Sequence, residues 1–70
     1  MAEVTAPQAA EIIDISLMTV HRKVDDGTLS ARQQGTKDRK FVYVDVDDLR
    51  QFAKTYGYRF NERLAQEYAK

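Results

Sequence analysis

Three residues, Asp14-Ile15-Ser16, separate two stretches that each carry the chemistry of a helix. So short an interval leaves two helices little freedom in how they meet. Upstream, "TAPQAAEII" reads as a helix start: Thr5 is a capping residue, Gln8 stands three residues on as in a capping box, and Pro7 suits the first turn. Ala9, Ile12 and Ile13 fall at helical spacing with small Ala10 beside them. Downstream, Ser16 caps a second helix, which Asp25, Asp26 and Gly27 end, Gly27 supplying the left-handed C-cap. At about 100° per residue, Leu17, Val20 and Val24 gather on one side of that helix. Met18, Thr19, Arg22 and Lys23 fall on the other. Within the turn, Asp14 can take the left-handed conformation, though less readily than glycine, and apolar Ile15 can plug into a core.

Beyond the second helix, two short β-prone runs, residues 29–33 and 40–44, flank the loop "QGTKDR". Gly35 gives the loop turn freedom, and Phe41 and Tyr43 alternate with Val42, so the segment reads as a hairpin with a basic tip. Asp45 then caps a third helix, "VDDLRQFAKTYG", with acids in its first turn, Lys54 near its end and Gly57 as its stop. Val46, Leu49, Phe52 and Ala53 form its apolar stripe. A last helix from Asn61 places Leu64, Ala65 and Tyr68 on one face. The expected organisation is a domain over residues 1–56 and a tail over 57–70 with a short helix packed on or beside it. The fold class is mainly α with a small β-hairpin. Phe41, Tyr43, Phe52, Val20, Val24, Ile13 and Leu29 are expected in the core.

Size and composition narrow the function. Seventy residues without a cysteine have a thin core, no disulfide framework and no thiolate zinc site. No apolar run approaches the ~18 residues of a membrane span, and the N-terminus lacks a signal-peptide pattern. The chain therefore reads as soluble and intracellular. Its eleven basic and eleven acidic residues balance, so net charge alone makes no case for nucleic acid. The distribution does more. Between Ser16 and Tyr43 stand six basic residues against three acidic ones, and the compensating acids lie on either side. There is no acid–base pair, nucleophile triad or phosphate-cradling loop, so no enzyme is expected. His21, the single histidine, has no cysteine partners and makes a poor metal site, and neither a metal nor a cofactor is expected.

Helix, tight turn, helix, basic hairpin, helix is the order of a winged helix-turn-helix. The run "TAPQAAEIIDISLMTVHRKVDDGTLSARQ…KFVYVDVDDLRQF", about three quarters of the chain, resembles the excisionase family of DNA-binding domains. These are small winged-helix proteins related to the N-terminal domain of MerR-type regulators. Ile15-Ser16 stands for the family's Val-Ser pair and Thr19-Val20-His21-Arg22 for its Thr-Val-Tyr-Arg. Gly27 and Leu29 match its Gly-x-Leu, and Asp48-Leu49 its Asp-Leu. Asp14 replaces the usual turn glycine, His21 replaces tyrosine, Lys23 sits where an apolar residue is common, and the wing loop is longer than the family's.

The resemblance implies double-stranded DNA as partner. It also implies binding of repeated sites beside an attachment site, neighbouring copies of the chain on DNA, and an integrase directed toward excision. The implied location is the cytoplasm, in a bacterial nucleoid or a phage-infected cell, with no membrane partner. A small MerR-like transcription regulator and a protein-interaction module on the same fold are the alternatives. MerR-type regulators dimerise through a long coiled coil, and no segment here is long enough for one, so a monomer in solution is expected.

The candidate contacts follow. A recognition helix lays its N-terminal part against base edges in the major groove, which selects Ser16, Met18, Thr19, Arg22 and Lys23. Arg22 is the best candidate for a guanine or a phosphate, since its fork bonds bidentately. Met18 suits a thymine methyl, and His21 suits a phosphate or packs at the helix edge. In the wing, Thr36, Lys37, Arg39 and Lys40 would enter the minor groove or ride the backbone. Arg32 would reach a phosphate or pair with a neighbouring acid. Tyr56, Tyr58, Phe60, Leu64 and Tyr68 either pack the tail onto the core or offer a protein contact.

Overall fold

A computed structural model describes residues 2–35 and 40–69. The elements run β1 (Glu3–Thr5), α1 (Ala6–Ile13), α2 (Leu17–Asp25), β2 (Arg32–Gly35), β3 (Lys40–Asp45), α3 (Val46–Tyr56) and α4 (Glu62–Tyr68). The three strands form an antiparallel sheet in the order β1-β3-β2. Four helices and this small sheet make a winged helix-turn-helix, with β2 and β3 as the wing.

Each helix starts where its capping chemistry stands. Thr5 and Gln8 form the full capping box at α1, Ser16 accepts from the Thr19 N–H at α2, Asp45 accepts from the Asp47 and Asp48 N–H groups at α3, and Asn61 accepts from the Leu64 N–H at α4. Three helices also end alike. At Asp14 (φ 58°), Gly27 (φ 79°) and Gly57 (φ 77°) the backbone turns left-handed. The next residue's N–H then bonds the carbonyl five residues back: Ile15 to Ala10 at 3.0 Å, Thr28 to Lys23 at 3.0 Å and Tyr58 to Ala53 at 2.9 Å. This six-to-one bond satisfies a carbonyl that the helix leaves open. Asp14 carries that conformation without being glycine, which holds the α1–α2 turn to three residues.

The core gathers Ala9, Ala10, Ile12 and Ile13 of α1, Val20 of α2, Val4 of β1, Val44 of β3 and Leu49, Phe52 and Ala53 of α3. Val20 is wholly buried, whereas Leu17, on the same side of α2, is 41% exposed because it lies in the first turn at the rim. Among the described residues no buried side-chain polar atom lacks a partner. No helix among them is long and apolar enough to cross a membrane.

Three expectations are corrected. The sheet has a third strand, β1, beside the expected hairpin. It exists because Val4 pairs with Val44 and both are buried. The first wing strand starts at Arg32 rather than Leu29, since the Leu29 N–H is spent closing α2 on the Lys23 carbonyl (3.1 Å). Leu29 itself is buried, as expected. Phe41 is not core: β3 turns Val42 and Val44 inward, so Phe41 stands on the outer face, 50% exposed, and Tyr43 on that face is half-buried.

These burials set the expected mutational costs. Leu49→Ala should lower unfolding free energy by about 2–5 kcal/mol, while Phe41→Ala should cost about 1 kcal/mol or less. Urea unfolding of both variants measures the difference, and equal losses would refute the inward placement of Val42 and Val44.

Candidate nucleic-acid interface

The helix α2 packs one side against α1 and leaves the other open. On the open side Met18 is 70% exposed, and His21 and Arg22 are exposed beside it. Lys23 is half-buried, next to the turn that its own carbonyl closes. Among the described residues, His21, Arg22 and Lys23 take part in none of the ion pairs or side-chain hydrogen bonds. Ser16 and Thr19 are engaged locally: the Ser16 hydroxyl accepts from the Thr19 N–H at 3.1 Å, and the two hydroxyl oxygens lie 2.7 Å apart. That pairing orders the first turn of α2.

The charged side chains of α2 gather toward its C-terminal end. Its first turn carries no acid, while Asp25 and Asp26 stand at its C-terminal end, where the helix dipole is already negative. Arg22 and Lys23 lie in that same last turn, so basic and acidic side chains stand together at the C-terminal end. The exposed side of α2 thus carries Met18, His21 and Arg22.

In the wing, Thr36, Lys37 and Arg39 lie outside the described residues, and Lys40 is placed only as the first residue of β3, opposite Gly35. Arg32 is not free. Its Nε and Nη2 donate to the two carboxylate oxygens of Glu3, at 3.1 and 2.8 Å, and its Nη1 donates to the Gln34 side-chain oxygen at 2.8 Å. Its guanidinium carbon sits 4.8 Å from the Tyr43 ring centroid. The hydrogen bonds from Arg32 hold the Glu3 carboxyl below its usual range, with burial working the other way, and Glu3 in turn raises the Arg32 value. Glu3, the partner that sequence reading missed, lies 29 positions away with no local signal to mark it.

The tail residues are largely spent on packing. Tyr58, Phe60, Leu64 and Tyr68 lie half-buried against the core, and Tyr58 stacks on Phe52 with ring centroids 5.4 Å apart. Tyr56 alone of the five is more than half exposed, at 54%, although its ring touches Phe52. The tail is fastened at three points. Asn61 donates its N–H to the Ile12 carbonyl at 2.9 Å, Tyr68 donates its hydroxyl to Glu11, and Glu62 takes two bonds from Arg50 at 2.7 and 3.1 Å. Arg50 also bonds Asp47 and lies 5.1 Å from the Phe60 ring centroid.

The bonds from Arg50 hold the Glu62 carboxyl below its usual range, against a smaller opposing effect of burial. A depressed carboxyl stabilises the fold fully above its unfolded value and loses that contribution as pH falls through its folded one. Wild type should therefore exceed Glu62→Gln in stability at pH 7, and the gap should close as the medium is taken below the usual carboxylate range. Denaturant unfolding of both proteins across that range reads the gap. A gap independent of pH would show that the carboxylate charge contributes nothing.

A family model described as a helix-turn-helix domain matches residues 3–57, from the start of β1 to the left-handed residue that ends α3. No match is found among curated proteins, and none among solved structures. The matched residues include both capped helices, the three-residue turn between them and the wing strands, and such a domain suggests DNA binding. By its matched span and by its architecture, the chain belongs to the helix-turn-helix domain family.

Proposed function

We propose that the protein binds double-stranded DNA sequence-specifically, with the N-terminal two turns of α2 in the major groove and the wing beside it. The observation that carries this reading is the open side of α2, where Met18, His21 and Arg22 stand exposed and Arg22 takes part in none of the ion pairs among the described residues. Arg22 reads a guanine or grips a phosphate, Met18 meets a thymine methyl, and the wing-tip residues Thr36, Lys37, Arg39 and Lys40 add phosphate contacts. Affinity comes mainly from the phosphates and therefore falls with salt.

The finer reading is an excisionase: copies bound to repeated sites reshape the DNA and bias an integrase toward excision. Its support is the resemblance of the "VS-x-x-TVYR", "G-x-L" and "DL" positions to that family. A MerR-like regulator uses the same contacts on a different arrangement of sites.

Site selection from a random duplex pool at low salt, followed by footprinting, separates these readings. Closely spaced direct repeats favour the excisionase, and a single site or an inverted pair favours the regulator. No binding even at about 50 mM salt, where phosphate contacts are strong, would refute the DNA reading and leave an interaction module. On the selected site, Arg22→Ala should cost about 1–3 kcal/mol and relax the base preference at one position if it reads a guanine. Lys37→Ala should weaken all sequences alike and reduce the salt slope by about one.

A further inference from the structure

Of the two wing strands, β3 is tied into the body by its ladder to β1 and by buried Val44, whereas β2 is held by less. All four residues of β2 are exposed, and its ladder partner is β3. One side-chain link crosses from β2 to the far edge of the sheet. Glu3 lies on β1 and Arg32 on β2, with β3 between them. Their bidentate pair spans β3 obliquely, since Glu3 is opposite Asp45 whereas Arg32 is opposite Tyr43. The Tyr43 ring lies under the guanidinium at 4.8 Å, and Gln34, two residues nearer the wing tip, takes the Nη1 bond. Carboxylate, ring and amide hold one planar cation from three directions, a task that a lysine ammonium does not perform.

We infer that Glu3 is a positioning residue for DNA binding: through Arg32 it clasps the root of the wing to β1 and sets the angle of the wing relative to α2. The inference rests on the DNA-binding reading above. β1 runs directly into α1 through the cap residue Thr5, and α1 carries α2 across the three-residue turn. The ladder already joins β3 to this unit, and the clasp adds a direct side-chain tie from β2, so that the wing's outer strand and α2 reach the DNA in one orientation. A wing held in advance loses less conformational freedom on binding. The alternative role for Glu3 is the opposite one, a carboxylate that masks Arg32 from phosphate, and the two roles predict effects of opposite sign.

Glu3→Gln removes the charged bidentate pair and one negative charge. If Glu3 positions the wing, the variant binds the selected site about fivefold more weakly, the scale of one good exposed ion pair. Hydroxyl-radical protection under the wing fades while protection under α2 persists, a split that a general loss of stability does not produce. Arg32→Lys keeps the charge but not the planar fork, and it behaves like Glu3→Gln. Asp47→Asn makes the same charge change elsewhere on the surface and leaves the wing footprint intact.

In the free protein, amide exchange of β2 rises in Glu3→Gln and in Arg32→Lys. Tighter or unchanged DNA binding by Glu3→Gln overturns the proposal, whatever exchange shows. So does Arg32→Lys with wild-type affinity. If the wild type itself binds no duplex, the DNA reading fails instead, and the exchange comparison alone decides whether the clasp holds β2: no rise in exchange overturns it.

Discussion

The burial of Val20 across a three-residue turn is the contact on which the remaining geometry depends. Asp14 turns the chain left-handed, Ile15 ties back to the Ala10 carbonyl, and Ser16 starts α2 at once. With so little chain between the helices, α2 has to lie against α1, and Val20 goes wholly into the cluster that holds Ala9, Ala10 and Ile13. The small side chains of the two alanines allow close approach of the helices. Fixing Val20 inward fixes Met18 and Arg22 outward, because a helix offers no independent choice of face.

The strand β3 does for the sheet what Val20 does for the helix pair. It pairs with β1 on one side and β2 on the other, and its alternation serves two purposes. Val44 is wholly buried and Val42 packs beside the core, while Tyr43 on the opposite face supports the guanidinium of Arg32. One extended segment thus supplies core packing and the platform for the wing's polar clasp. A one-residue slip in register would exchange the two faces.

In a chain of balanced charge, what matters is which charges are already paired. Two arginines are occupied: Arg32 by Glu3, and Arg50 by Glu62 and Asp47. Arg50 holds the tail to α3, and the half-buried tail aromatics complete a core that would otherwise be thin. The cations of α2 stand outside these pairs, as do Lys54 and Arg59 among the described residues. Net charge is a poor guide in such a case, since what a partner meets is the unpaired charge at its own contact.

What the sequence determined by itself is everything whose cause lies within a few residues. The caps Thr5, Ser16, Asp45 and Asn61, the left-handed positions at Asp14, Gly27 and Gly57, and the apolar stripe of α3 are short-range chemistry, and each stands where its residues indicate. The exposed side of α2 was legible for the same reason. What only the tertiary structure decided depends on partners distant in the chain. Three residues of β1 carry no period to read, and they become a strand because β3 accepts them. The alternation of β3 was legible but not its phase: aromatic Phe41 and Tyr43 looked like the core face, and the register put the valines there instead. Arg32 was open to a phosphate or to a neighbouring acid, and it pairs with an acid, but one that is a neighbour in space and 29 positions away in the chain. Backbone caps are settled by neighbours along the chain, whereas faces, registers and ion-pair partners are settled by which surfaces the folded chain brings together.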